Sequence, residues 1–233
     1  MPFTVIFIRP SFVDDVNIAL TSSTRYVDDV NREGIGKVPD DTRSRLIDSA
    51  LTLLRSEGLE AVTLRAVGDL TGLSRTAPYR HFADKNALLA ALAAQIISDL
   101  TAYVSEAVLR EQGSQARLHA FYTGYVDYAV THKEEYRLVF APEFLAGTHA
   151  ELEAAIDAVM TTFGVQPPAA DRSASMAALL ALLCTAHGLA ELATTGHIAH
   201  RGVATAAVID TLVTGHPLTH TNANANANDQ AVS

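Results

Sequence analysis

Arg75, Thr76, Tyr79, Arg80 and His81 crowd into one short segment, and each carries a hydrogen-bond donor suited to a phosphate or a base edge. An arginine can bridge guanine O6 and N7 together, while the methyls of Thr76 and Ala77 can meet a thymine methyl. Reading a duplex this way needs a rigid, projecting element, and the residues just upstream supply one. In VTLRAVGDLTGLSRT (62–76), Thr63 caps a helix whose Leu64, Val67 and Leu70 recur at helical spacing and face inward. Gly72 then allows a sharp turn at positive φ, and Gly68 leaves room for a second helix to cross the first. Ser74 offers a side-chain oxygen to cap that second helix, whose first turn holds Arg75, Thr76 and Ala77. This is a helix-turn-helix with its major-groove end occupied by readers.

The elements around it are helical. A first helix runs from about Asp41 or Thr42 to Glu57, with Leu46, Ile47, Ala50, Leu51 and Leu54 as a stripe and Gly58 at its end. Asp84 caps a long helix from Lys85 to about Glu111, roughly 40 Å at 1.5 Å per residue, long enough to join two domains rigidly. Further helices are expected at about 114–131, 133–141, 148–163, 170–195 and 201–214, with breaks at Pro142, Gly147, Gly164 to Pro168 and Gly196. No strand pattern competes. The fold class is therefore all-α: an N-terminal three-helix DNA-binding domain (41–88) and a C-terminal helical bundle (89–215) for ligand and dimer contacts. Residues 1–40, punctuated by Pro and Gly, and the tail 216–233, with its Asn-Ala repeat, are expected to be disordered.

Charge is segregated along the chain. The formal net charge is −9, which by itself argues against a polyanion partner. Yet residues 42–85 hold seven Lys/Arg against five Asp/Glu, whereas 86–233 hold six against fourteen. Because screening confines phosphate attraction to about 8–10 Å, the local surplus is what DNA meets. The single cysteine, Cys184, excludes an intrachain disulfide and suits a reducing cytoplasm. The uncharged run Ser173–Ala190 approaches membrane-span length, but its Ser, Thr and His residues mark a helix buried among other helices rather than a membrane segment.

From Thr42 to about Ala94 the chain resembles the N-terminal domain of TetR-family transcriptional regulators. The residues that carry this are RSRLIDSALTLLRSEG (43–58), VTLRAVGDLTGLS (62–74) and APYRHFADKNALL (77–89). Downstream, YVDYAVTHKEEYRLVFAP (125–142) and His187-Gly188 resemble the subgroup with a WHG-type ligand domain, although this chain has no tryptophan. The resemblance implies that Tyr79, His81 and Lys85 grip phosphates and that Arg65 reaches a base or phosphate. It also implies a homodimer formed through the last two long helices, where Ala177, Ala178, Ala181, Gly188 and Ala190 would permit close approach. Pro78 stands where relatives carry an aliphatic residue and puts the path of the recognition helix in question.

Phe121, Tyr122, Tyr125 and Tyr128 recur along one helix, followed by Tyr136, Phe140 and Phe144. Singly each is a core aromatic; together, phenols in an apolar helical core suggest a pocket with a few polar anchors. Phe121, Tyr122, Tyr125, Tyr128, Phe140, Met160, Cys184 and His187 form the expected ligand site, largely on the strength of the resemblance, while His187 reads equally as a core histidine and Cys184, mid-helix among apolar residues, as inert packing. His197 with His200 and His216 with His220 have metal-compatible spacing but no acidic or cysteine partner, so no metal is expected. There is no nucleophile elbow, phosphate-binding glycine loop or paired carboxylate, so neither catalysis nor a cofactor is expected. The expectation is a cytoplasmic, ligand-responsive regulator, most simply a repressor, on a palindromic operator in double-stranded DNA. Two rivals stand beside it: an accessory or architectural DNA-binding factor without a ligand, and an all-α small-molecule binder that does not engage DNA.

Overall fold

The computed structural model describes residues 41–141, 149–163 and 172–215, although the side chains of residues 41 and 172–175 are not described. The expectations for residues 1–40, Phe144 and the tail from His216 lie outside the described residues. Ten α-helices and one short 3₁₀ turn make up the regular structure there: α1 (Asp41–Glu57), the turn Leu59–Ala61, α2 (Leu64–Thr71), α3 (Pro78–His81), α4 (Lys85–Leu109), α5 (Ser114–Thr131), α6 (Lys133–Val139), α7 (Ala150–Phe163), α8 (Arg172–Thr194), α9 (His197–His200) and α10 (Thr205–Thr214).

Local chemistry sets the boundaries. Thr63 Oγ1 accepts from the Ala66 N–H at 3.1 Å and starts α2; Asp84 does the same for Ala87 at 2.8 Å and starts α4. Gly72 ends α2 in the left-handed region at φ 67°, where a Cβ would cost about 1–2 kcal/mol. The expected helix 201–214 begins only at Thr205, past Gly202 at positive φ, and a further single turn, α9, precedes it after Gly196, also at positive φ.

One core runs the length of the molecule. α1 lies across α2, α3 and the start of α4; α4 continues unbroken and packs against α5, α6 and α7; α5 in turn carries α8 and α10. Leu46, Leu54, Val67 and Phe82 near one end and Phe121, Leu138 and Leu182 near the other belong to the same buried cluster. The boundary expected at residues 88 and 89 falls inside α4, so that helix is shared between the two regions.

Helix α8 departs from the expectation of a helix buried on all sides. Leu179, Leu182, Ala186, Leu189 and Ala190 face the core, whereas Met176, Leu180 and Leu192 are each nearly half exposed. Ala177, Ala181, Cys184 and Gly188 lie on that open side, but Ala190 does not. Among the described residues two helices, Lys85–Leu109 and Met176–Thr194, are long and apolar enough to cross a membrane; the first is a core helix, and the second owes its apolar surface to this open face.

Candidate DNA interface and ligand cavity

The helix-turn-helix is held by three backbone devices. Gly72 N–H bonds to the Asp69 carbonyl and Leu73 N–H to the Gly68 carbonyl, both at 3.2 Å, so the chain folds back tightly at the end of α2. Arg45 of α1 reaches the Thr71 carbonyl at 3.2 Å and covers that end. Pro78 packs onto Gly68 so closely that a Cβ there would lie 2.9 Å from Pro78 Cγ. Glycine at 68 and proline at 78 are therefore one packing solution.

Proline also shortens the recognition element. An α-helix starting at Ser74 would require the residue 78 N–H to bond to the Ser74 carbonyl, and proline has none. The Ala77 N–H takes that carbonyl instead at 2.9 Å, and α3 begins only at Pro78. Consequently Ser74 caps no helix; its hydroxyl lies 3.4 Å from that of Thr76. Arg75, Thr76 and Ala77 occupy the turn that leads into α3 rather than its first helical turn.

Exposure separates the expected contacts. Arg65, Ser74, Arg75, Thr76, Tyr79 and Arg80 are exposed, and Tyr79 keeps 58% of its surface free. Thr63, Ala77, His81 and Lys85 are half-buried, with Lys85 at the first turn of α4. Arg65 lies 3.7 Å from Asp69 on its own helix. Leu70, expected inside, is 53% exposed, because residues 69 and 70 turn away from the core face that Leu64 and Val67 form.

A cavity of about 460 Å³ opens between α4, α5, α6, α7 and α8. That volume lies within the range of small-molecule sites. Phe121, Tyr125, Phe140, Met160, Cys184 and His187 all line it, with Leu100, Val104, Val139, Leu152, Ile156 and Phe163. Cys184, read as packing, is exposed at its edge. Tyr122 and Tyr128 do not line it. Tyr122 is turned about a hundred degrees from Phe121 around α5, toward Thr185 of α8. Tyr128 lies nearly two helical turns beyond Phe121 and has passed the cavity's end; its hydroxyl donates to Glu135 at 3.3 Å.

The polar groups of the cavity are linked. Tyr136 sits between Tyr125, with ring centroids 6.0 Å apart, and His187, whose Nδ1 is 2.5 Å from its hydroxyl. Burial pushes the Tyr125 phenol up to about 12, the Tyr136 bond opposing it only in part, and burial raises Tyr136 further. Both phenols are neutral hydrogen-bonding groups at any physiological pH.

Two ion pairs tie the cavity walls to α1. Glu135 of α6, 1% exposed, accepts from Arg55 Nε at 2.6 Å and Nη2 at 3.1 Å, and His132 Nδ1 lies 3.0 Å away. Burial alone would raise the Glu135 carboxyl, but Arg55 and His132 outweigh it and hold it below the ordinary carboxylate range. At the other end of α1, Arg43 bonds to both oxygens of Glu151 on α7 and lies over the Phe82 ring. Sequence reasoning missed both links. Glu135 sits beside buried Tyr136 and Leu138 on a seven-residue helix, but its partner is eighty residues upstream, so no local signal marks the pair. Among the described residues no three His, Cys, Asp or Glu side chains converge as a metal site would require.

Residues 46–92 match the family described as bacterial regulatory proteins, tetR family, and residues 118–215 match the tetracyclin repressor-like C-terminal domain. Together the two matches span more than half of the chain. The chain belongs to the TetR family of transcriptional regulators. It is 27% identical over 135 residues to the transcriptional activator FasR of Mycolicibacterium smegmatis, covering 55% of this chain and 62% of that protein. Over 71 residues it is 34% identical to the repressor AcnR of Corynebacterium glutamicum, covering 30% of this chain and 38% of that protein. The chain thus spans less than two thirds of either relative. A solved structure of a protein of unknown function from Rhodococcus sp. RHA1 superposes with a TM-score of 0.61 at 28% identity, covering 77% of this chain and 96% of that one. This chain is a TetR-family transcriptional regulator, and its relatives include both an activator and a repressor.

Proposed function

We propose that this regulator is a cytoplasmic repressor that binds an approximately palindromic operator as a homodimer and releases it when a small, largely apolar molecule fills the cavity. The observation that carries the reading is the shared use of α6 and α7. Both helices wall the cavity, and both are tied to α1 of the DNA-binding region, through Glu135 to Arg55 and through Glu151 to Arg43. A molecule that moves either wall therefore moves the helix on which α2 and α3 rest. Ligand binding shifts DNA affinity only by its difference in affinity between the two arrangements, so tight binding without that difference changes nothing.

The open face of α8, with Met176, Leu180 and Leu192 exposed beside small residues, supports pairing with a second copy. Two-fold pairing must set the recognition elements about 34–36 Å apart, or a multiple of that, to meet successive major grooves. Within each, Arg75 and Thr76 are assigned to base edges, with Arg65 and Ala77 beside them. Thr63, Ser74, Tyr79, Arg80, His81 and Lys85 are assigned to phosphates. The architectural alternative calls for a filled core, which the cavity argues against.

The test is titration of the full chain with a labelled pool of genomic fragments at low ionic strength, followed by footprinting of any retained fragment. A protected, two-fold symmetric site supports the proposal. Uniform, weak retention of all fragments refutes it.

A further inference from the structure

Among the described residues the cavity's polar lining is Thr101, Tyr125, Glu153, Cys184 and His187; Thr101 donates to the Ile97 carbonyl of its own helix, and no Lys or Arg is there to match an anion. Apart from Glu153, every described residue lining it is uncharged or, for His187, an imidazole. His187 lines the cavity with Nδ1 engaged by Tyr136, and its ring lies against Phe140 at 4.1 Å between centroids. Nε2 is the edge left over. Among the described residues it has no partner, yet it is not a sealed orphan, since the only buried side-chain polar atom there without a partner is Ser105 Oγ. An imidazole on the wall of a largely apolar cavity, held at Nδ1 and with Nε2 unpartnered, can receive one polar atom of a ligand.

From this geometry we infer that the regulator recognises a neutral, largely apolar molecule carrying a single hydroxyl or carbonyl oxygen, which pairs with His187 Nε2 while the apolar body fills the space bounded by Leu100, Val104, Phe121 and Phe163. The inference rests on the sensor reading above and specifies its ligand. A neutral imidazole serves either oxygen. If Tyr136 donates to Nδ1, the Nε2–H meets a carbonyl; if Nδ1–H donates to Tyr136, Nε2 accepts from a hydroxyl. A carboxylate would instead leave water with no Lys or Arg among the described lining residues to receive it and with Glu153 on the same wall, a costly burial. Tyr136 acts as a positioning residue, because its hydroxyl fixes which imidazole nitrogen faces the ligand.

The experiment measures binding of decane, decanol, methyl octyl ketone, decanoate and decylammonium to the full chain by calorimetry, with His187→Phe and Tyr136→Phe in parallel. Decanol or the ketone should bind at least about tenfold more tightly than decanoate, and the better of the two identifies the tautomer. His187→Phe should erase the advantage of the neutral oxygen over plain decane, whereas Tyr136→Phe should narrow the gap between alcohol and ketone. Decanoate equal to decanol overturns the inference, as does a preference unchanged in His187→Phe. Decylammonium outranking both would move the polar contact to Glu153 and also overturn it. In each of these three cases a ligand still binds and the sensor reading stands; if no member of the panel binds, both fall together.

Discussion

The link between α1 and α6 can be tested through the unequal burial of its two partners. Glu135 is 1% exposed, whereas the Arg55 side chain keeps 51% of its surface in water. Removing the carboxylate with Glu135→Gln leaves a guanidinium that solvent can receive, so the loss should be that of a charged hydrogen-bonded pair, about 1.5–3 kcal/mol. Removing the guanidinium with Arg55→Ala strands a carboxylate that water cannot reach, with only His132 and Tyr128 beside it. Such a group can escape by taking a proton. At pH 7 that costs about 3.4 kcal/mol for a carboxyl of ordinary value 4.5, or 2.5 pH units at 1.36 kcal/mol each. The charge penalty in Arg55→Ala is therefore capped near 3 kcal/mol, with lost packing of the arginine stem added to it. Adding Glu135→Gln to Arg55→Ala should then restore about 1 kcal/mol or more, because the stranded charge is gone.

The assay is urea unfolding followed by circular dichroism and tyrosine fluorescence at one fixed protomer concentration. Acid gives a second, sign-dependent readout. In the native pair the Glu135 carboxyl is held low, so its contribution is present above about pH 4.5 and fades as pH falls through the lower folded value. In Arg55→Ala burial raises the carboxyl instead, and lowering the pH from 7 to about 5 should narrow the gap to the native protein. An Arg55→Ala loss no greater than that of Glu135→Gln, with single losses that simply add in the double variant, would refute the reasoning.

Three further outcomes follow from the interface and the open face. Arg75→Ala should lose more affinity for a specific operator than for a scrambled one, while Lys85→Ala should weaken both equally and flatten the salt dependence by about one unit of slope; gel-shift titrations at several salt concentrations separate them. Gly68→Ala places a methyl 2.9 Å from Pro78 and should cost about 1–3 kcal/mol in urea unfolding, and pairing it with Pro78→Ala should recover most of that loss. Leu180→Glu puts a charge on the exposed apolar face of α8 and should yield monomers by light scattering with operator affinity lost, while the circular dichroism of the helices is retained.

What could be read in advance, and what could not, divides by the range of the interactions. The caps at Thr63 and Asp84, the turn at Gly72 and the long α4 were legible because each depends on residues within one helical turn of itself. The aromatic lining was half legible: residues 121 and 125 face the cavity, but the same periodic pattern gave no sign that residue 128 had already run past its end. Pro78 was visible as an irregularity, yet its consequence depends on where the Ser74 carbonyl goes and on the absence of a Cβ ten residues earlier at Gly68. The couplings that make a sensor out of two helical regions were not legible, since Arg43, Arg55, Glu135 and Glu151 read one at a time as ordinary solvated charges. Their meaning arises only when α1 lies across α6 and the start of α7, which is set by the burial of Leu46, Leu54 and Leu138 rather than by the charges themselves. The apolar core decides which ions meet, and the ions then decide how firmly the cavity's walls hold the DNA-reading helices.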